Sequence, residues 1–332
     1  MQRTAEATSS MWETARRFVA EHGHAAMATV VATWGSAPVP VGGQLAAGPG
    51  DRFEGSVSGG CVEADVLAEA ADAMASGKPK LLEYGVSDDA AWRVGLACGG
   101  TIRVFVEPLS AADLPLLDAI VAAHRARQSA VLVTSAADGA RHLYAAGAEM
   151  PAEVAAQQAA GTTALIEGAA GQLVVQPVIA PVHIVVVGAT HIGQVFTRMA
   201  RLVGYSVTVV DPRAAFATAE RLGSTASIVE WPAASLDKLG LGGRTAVVAL
   251  THAAHIDDEA IAAALRAPCL YVGALGSRAT HAKRLQRLAA AGFSEAELQR
   301  IHAPIGLAIG AKGAPEIAVS ILAEIIKVTR DA

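Results

Sequence analysis

"HIVVVGATHIGQVFTRMARLVGYSVTVVD", residues 183–211, decides the fold of the second half of the chain. Two runs rich in Val and Ile, each of strand length, flank a segment long enough for a helix, and a glycine turn joins the first run to that segment. Strands without polar alternation are those buried on both faces, the condition of parallel strands linked by helical crossovers. The turn carries Gly188 and Gly193 at the outer positions of a G-x-G-x-x-G fingerprint, and Asp211 ends the next strand. In a dinucleotide fold the glycines shape the turn and admit a pyrophosphate, while the acid accepts hydrogen bonds from ribose hydroxyls. Thr190 fills the middle position, where its side chain narrows the room for pyrophosphate but its hydroxyl can donate to one phosphate. Gly188, Thr190, His191, Gly193 and Asp211 are therefore candidates for binding a nucleotide or phosphate. The competing reading is a Rossmann-like scaffold whose glycines serve only the turn.

Downstream, "ASIVEW", "TAVVAL" and "CLYVGALG" continue the strand and helix alternation, so a Rossmann-like parallel sheet is predicted for residues 181–332. "ALGSRATHAKRL" offers a second anion-binding turn, with Gly276, Ser277 as N-cap, and Arg278, His281, Lys283 and Arg284 in the opening helical turns. A capped surface helix with solvated charges explains the same residues equally well. His252 and His255 in "THAAH", with Asp257 nearby, are a thin case for a metal site. The final helix is expected from about Pro315, with Glu316 in its first turn.

Upstream, residues 11–21 read as an amphipathic helix, "AMATVVATWG" as a buried strand, and "QLAAGPGDRFEG" as a hairpin turning at Gly48 to Gly50. Val62, Val66, Ala70 and Met74 recur every four positions and Gly77 stops the run, which predicts a helix. "CGGTIRVFVEP" is a glycine turn feeding a strand, followed by Ser110 and Asp113 in capping-box spacing. Pro177 and Pro181 bracket the boundary expected between an α/β domain over 1–180, with a sub-boundary near 109, and the domain that follows.

Composition narrows the function classes. A 332-residue chain that is 52% hydrophobic has material for two cores, and its 4% aromatic content means cores of aliphatic residues. A formal charge of -5 without basic runs gives nucleic acid no electrostatic footing. No apolar run is long enough to span a bilayer, and residues 1–18 lack a signal-peptide pattern, so the expected location is the cytoplasm. Cys61, Cys98 and Cys269 are too few and too widely spaced for a disulfide framework. Cys61 follows two glycines at a predicted helix start and Cys98 precedes two more, where a thiolate would be stabilised and could meet a soft metal or carry sulfur. The plain alternative is that cysteine is a small residue suited to a tight turn.

In order and along nearly the whole chain, "GSAPVPVGG", "GSVSGGCVEADV", "LACGGTIRVFVEPL", "VVVGATHIGQVF", "VTVVDPR", "YVGALGSRATHAKRL" and "IHAPIGLAIGAKGAPEIAVSILAEI" resemble the XdhC/CoxI family of accessory proteins of molybdenum hydroxylases. The resemblance implies an N-terminal XdhC/CoxI-type α/β domain followed by a Rossmann-like domain. It further implies a molybdenum cofactor-binding chaperone without turnover chemistry of its own. Such a protein holds molybdopterin, or its cytosine dinucleotide form, through sulfuration by a cysteine desulfurase. It then delivers the cofactor to an apo hydroxylase of the xanthine, aldehyde or carbon monoxide dehydrogenase type. A homodimer is expected. Gly35, Ser36, Gly43, Ser58, Gly59, Gly60, Cys61, Glu63, Cys98, Gly99 and Gly100 become candidate cofactor residues, with Cys61 and Cys98 as candidate molybdenum contacts. Gly276, Ser277 and Arg278 join the nucleotide candidates. Val39 stands where the family commonly has a basic residue, Thr190 where it often has glycine, and Ala308 where it often has aspartate. An NAD(P)-dependent oxidoreductase and a sulfur carrier using Cys61 or Cys98 are the alternatives.

Overall fold

The computed structural model describes residues 10–85, 99–169 and 171–331. They form two compact units that divide between Ala180 and Pro181.

In the N-terminal unit the elements are α1 (Met11–His22), β1 (His24–Trp34), β2 (Gln44–Ala47), β3 (Phe53–Gly55), α2 (Glu63–Ser76), β4 (Lys80–Tyr84) and β5 (Thr101–Ser110). A single 3-10 turn then leads into α3 (Leu114–Arg125), β6 (Ala130–Ser135), β7 (Arg141–Tyr144), α4 (Ala152–Ala160), β8 (Ala164–Gly168) and β9 (Gly171–Val178). Two antiparallel sheets result, in the orders β3-β2-β1-β5-β4 and β7-β6-β9-β8.

The long strand β1 explains its own sequence. Ala26, Ala28 and Val30 pack with Val66, Ala70 and Ala73 of α2, while Ala25 and Met27 pack with Trp12, Phe18 and Val19 of α1 and Leu117 and Ile120 of α3. Successive side chains of a strand alternate faces, so covering both faces removes the polar alternation. Ser10 accepts from the Glu13 amide at the start of α1, and the expected capping box of Ser110 with Asp113 forms after β5. Helix α2 begins at Glu63, with Val62 as its N-cap. Cys61 therefore precedes the helix.

A buried ion pair ties the two sheets. Arg141 on β7 donates from Nε to Glu107 of β5 at 2.7 Å, from Nη1 to Asp113 at 3.0 Å and from Nη2 to the Pro108 carbonyl at 2.6 Å. Glu107 is wholly buried, and its Oε1 finds no hydrogen-bond partner among the described residues. Burial pushes its carboxyl pKa up against the opposing pull of Arg141.

The C-terminal unit contains β10 (His183–Val187), α5 (His191–Leu202), β11 (Ser206–Val210), α6 (Ala219–Leu222), β12 (Ala226–Ile228), α7 (Pro232–Leu239) and β13 (Thr245–Ala249). It continues with α8 (Ala254–Arg266), β14 (Tyr271–Ala274), α9 (Arg278–Ala290), α10 (Glu295–Leu298), β15 (Ile301–His302) and α11 (Gly313–Asp331). Cys269 is buried just ahead of β14 rather than inside that strand, as its sequence neighbours had implied.

The six parallel strands run in the order β12-β11-β10-β13-β14-β15, which is the 3-2-1-4-5-6 order of dinucleotide-binding sheets. Ile184 and Val186 of β10 pack with Phe196 of α5 and Ile321 of α11, and Val185 and Val187 pack with Ile256 and Ile261 of α8. Both faces are covered, as the uninterrupted apolar runs required. In such sheets ligands lie outside the carboxyl ends of the strands where the order reverses, here between β10 and β13.

Replacing Arg141 with Met is expected to destabilise the protein by roughly 3–5 kcal/mol in urea unfolding, because a buried carboxylate loses its counter-charge. Adding Glu107→Gln should recover part of that loss. A single-variant loss below about 1 kcal/mol would show the pair to be dispensable.

Candidate functional site

Three glycine loops that are far apart in the sequence meet at one end of the five-stranded sheet. β1 ends at Trp34 and leads into Gly35–Ser36; the antiparallel β5 starts at Thr101, directly after Gly99–Gly100. A Cβ on Gly100 would sit 2.3 Å from the Ser36 carbonyl oxygen and 2.8 Å from that of Trp34, so only glycine allows these two loops to touch. A Cβ on Gly59 would meet Pro38 at 3.5 Å, which brings the 55–61 loop to the same place. Gly60 and Gly99 differ. Their φ values of +115° and +72° demand glycine, yet none of the described residues lies within 4 Å of their Cβ positions. Gly43 is explained by packing alone, since the Val39 side chain lies 2.1 Å from where its Cβ would stand.

The loop "GSVSGGCVE" is organised by its own glutamate. Glu63 Oε1 accepts from the Ser56 hydroxyl and from the amides of Val57 at 3.2 Å and Ser58 at 2.9 Å. Oε2 accepts from the Ser58 hydroxyl and from the Gly60 amide at 2.8 Å. The two serines are used again: Ser56 Oγ accepts from the Gly59 amide and Ser58 Oγ from the Val62 amide, each at 2.9 Å. Burial pushes the Glu63 carboxyl pKa up, but the hydrogen bonds from Ser56 and Ser58 outweigh it and hold the group at about 2. The amides that a phosphate would have used are therefore already satisfied by a carboxylate. Cys61, between Gly60 and Val62, is partly exposed and, like Ala37 and Val39, packs against the edge of the α2 core. Cys98 lies outside the described residues, as the residue before Gly99.

The second cluster lies at the carboxyl edge of the parallel sheet. Thr190 is the N-cap of α5 and accepts from the Gly193 amide at 3.2 Å, with His191 exposed as the first helical residue. A Cβ on Gly188 would lie 2.8 Å from Thr251, and one on Gly193 would lie 2.2 Å from the Gly188 carbonyl. These glycines bring the turn after β10 against the loop after β13 and pack α5 onto the turn.

Asp211 is wholly buried. Its Oδ2 accepts from the Ala189 amide at 2.9 Å and from Arg213 Nη2 at 2.8 Å, and its Oδ1 from Arg213 N at 3.0 Å and Nε at 2.9 Å. Burial raises the Asp211 pKa, and the Arg213 hydrogen bonds more than reverse it, so the carboxyl is held below its ordinary value. Both oxygens are engaged by the protein.

Ser277 caps α9 through the Thr280 amide at 3.1 Å, next to Gly276 and the exposed Arg278. Arg284, counted in the sequence as a cation of the opening turns, is 2% exposed and points inward. It donates to the Leu275 carbonyl at 3.1 Å and lies 3.5 Å from Asp258 and 3.9 Å from Asp257. Helical periodicity explains the difference: Arg284 shares the inward face with the buried Leu288, four positions on. Asp257 is in turn bound by the Thr251 amide and hydroxyl. No group of three metal-ligating side chains, at the "THAAH" segment or elsewhere, occurs among the described residues. His302 packs beside Tyr271 and lies 3.2 Å from Glu324, consistent with a packing role.

Sequence reasoning missed Arg213 and Phe216. The signal was present in "VVDPRAAF", where a cation stands two residues after the strand-ending acid.

Comparison with known proteins agrees with the fold. The family model described as the XdhC Rossmann domain matches residues 184–325, and that described as the XdhC and CoxI family matches residues 18–85. The molybdenum cofactor insertion chaperone PaoD of Escherichia coli (strain K12) is 30% identical over 305 residues, covering 92% of this chain and 83% of PaoD. A probable xanthine dehydrogenase component of Bacillus subtilis (strain 168) is 27% identical over 318 residues, covering 91% of this chain and 92% of that one. A crystal structure described as a xanthine dehydrogenase from Bacillus halodurans shares the fold, with a TM-score of 0.79 over 97% of this chain and 96% of that one at 23% identity. No helix among the described residues is long and apolar enough to cross a membrane.

Glu63→Gln should lower stability by about 1–3 kcal/mol at pH 7, since charge-assisted hydrogen bonds are lost from a partly exposed group. The folded pKa of about 2 lies below the ordinary 4.5, so the carboxylate's contribution is present above pH 4.5 and lost as pH falls toward 2. Melting curves of both proteins should therefore converge over that interval. A gap that does not change with pH would refute the assignment.

Proposed function

The chain belongs to the XdhC and CoxI family, and on that premise we propose that it binds the molybdenum cofactor as a chaperone and passes it to a molybdenum hydroxylase. The observation that carries this reading is the meeting of the Gly35–Ser36, Gly59–Cys61 and Gly99–Gly100 loops, with no described residue against the Cβ positions of Gly60 and Gly99. A metal-pterin cargo needs a receptor that brings backbone close to polar edges and offers a soft donor without consuming the cargo. Cys61 supplies the thiol from one loop, and Cys98 adjoins Gly99 in sequence.

In this proposal Glu63 acts before the cargo arrives. It neutralises the loop's amide donors, fixes the backbone on either side of Cys61 and spares the cofactor the cost of ordering that loop. The dithiolene-bound metal then meets the Gly60–Cys61 segment. Sulfuration by a cysteine desulfurase, delivery to a xanthine, aldehyde or carbon monoxide dehydrogenase-type apoenzyme, a homodimeric state and a cytoplasmic location complete the proposal. The sulfur-carrier alternative also uses Cys61 and predicts a persulfide on that residue.

The test mixes the purified full-length protein anaerobically with released molybdenum cofactor, desalts it, and measures molybdenum and pterin in the protein fraction. Near-stoichiometric retention is expected for the wild type, with most of it lost in Cys61→Ser while the melting temperature stays unchanged. Failure of folded wild-type protein to retain either component would overturn the proposal. Full retention by Cys61→Ser would remove the thiol from it.

A further inference from the structure

β11 and β12 are paired neighbours that end at Val210 and Ile228, so residues 211–216 and 229–231 leave the sheet side by side at its carboxyl edge. Three features gather there. Arg213 grips Asp211 through Nε and Nη2, which leaves Nη1 for an incoming anion, and the Arg213 side chain is 34% exposed. Its guanidinium carbon lies 4.0 Å from the Phe216 ring centroid, and that of Arg221 lies 5.3 Å from the same ring. Arg221 also donates from Nη2 to the Ala189 carbonyl in the turn after β10, and its buried Nε has no hydrogen-bond partner among the described residues. Beyond them stand two exposed apolar groups, Val229 at 48% and Trp231 at 50%. The Trp231 ring lies 5.8 Å from that of His255, which follows β13, so the indole reaches across the edge toward the strand-order reversal.

An acid at the end of the second strand ordinarily accepts from a ribose diol. Here four N–H donors already fill the oxygens of Asp211, so a diol would have to displace an internal ion pair. Arg213 answers Asp211, Asp257 also acts on Arg213 but stands beside Arg284, and Glu230 is paired with Lys238, which leaves Arg221 as the cation without a carboxylate among these; planar guanidinium forks suit phosphate oxygens. A half-exposed indole beside an apolar Val is a surface on which a heterocyclic base stacks.

We propose that this edge binds a nucleotide whose ribose bears a second phosphate ester, on its 2′-hydroxyl, with that phosphate at Arg213 and Arg221 and the base against Trp231 and Val229. The site is independent of the molybdenum cofactor reading and requires no hydride transfer.

The experiment titrates the full-length protein with adenosine 2′,5′-bisphosphate and with ADP, by calorimetry and tryptophan fluorescence. The bisphosphate should bind about tenfold more tightly or better, the ~1.4 kcal/mol of one charge-assisted contact. Arg213→Gln and Arg221→Gln should each bring the two affinities close together, with folding checked by melting temperature. Trp231→Phe should abolish the fluorescence change while keeping the preference. Equal affinities in the wild type, no saturable binding of either probe, or a preference that survives both arginine substitutions would overturn the proposal.

Discussion

A strand covered on both faces has little room for polar side chains along its length, and those it admits, such as Thr29 of β1 beside Gln176, need a buried partner; that constraint shapes both halves of this protein. β1 lies between α2 on one side and α1 with α3 on the other; β10 lies between α5 with α11 and α8. Chemistry is thereby excluded from the middle of the central strands and confined to the loops where they end. In the N-terminal unit that place is the end of β1 and the start of β5. In the C-terminal unit it is the carboxyl edge of β10, β11 and β13.

The same constraint decides what was legible beforehand. An uninterrupted "HIVVV" or "AMATVV" has few explanations other than double-sided burial, so the mixed α/β character, the parallel C-terminal sheet and the family all followed from local pattern and motif order. The capping residues Ser110 and Ser277 were readable for a similar reason, since a cap is a contact across only three residues; that Thr190 caps α5 was not read. Contacts set by folding were not. That Gly100 touches Ser36 depends on β1 and β5 pairing across many residues, and that Arg141 rescues Glu107 depends on two sheets meeting. Arg284 shows a further limit: a cation in an apparently solvated helix was turned inward by partners on α8 and the loop after β14.

Both units treat their glycine turns alike. In each, backbone amides of the sort that cradle anions are given to a carboxylate of the chain itself: Ser58 and Gly60 to Glu63, Ala189 to Asp211. An unpaired amide inside a tight turn is costly, and an internal acid satisfies it whatever else is present. The difference lies in what answers the acid. Among the described residues Glu63 is met by hydroxyl and amide donors and by no cation, so there its negative charge is uncompensated. Asp211 is met by Arg213, which cancels its charge, and with Arg221 alongside the turn presents a cationic surface. Two turns of similar composition thus present opposite electrostatic faces.

The double use of Ser56 and Ser58 has a consequence for how this loop changes over time. Each serine gives its proton to Glu63 and takes one from a neighbouring amide, so the three side chains and five amides close on one another. Removing any one member strands the others, and the second loss in the group adds little to the first. Such a unit resists stepwise drift: its members persist together or are replaced together.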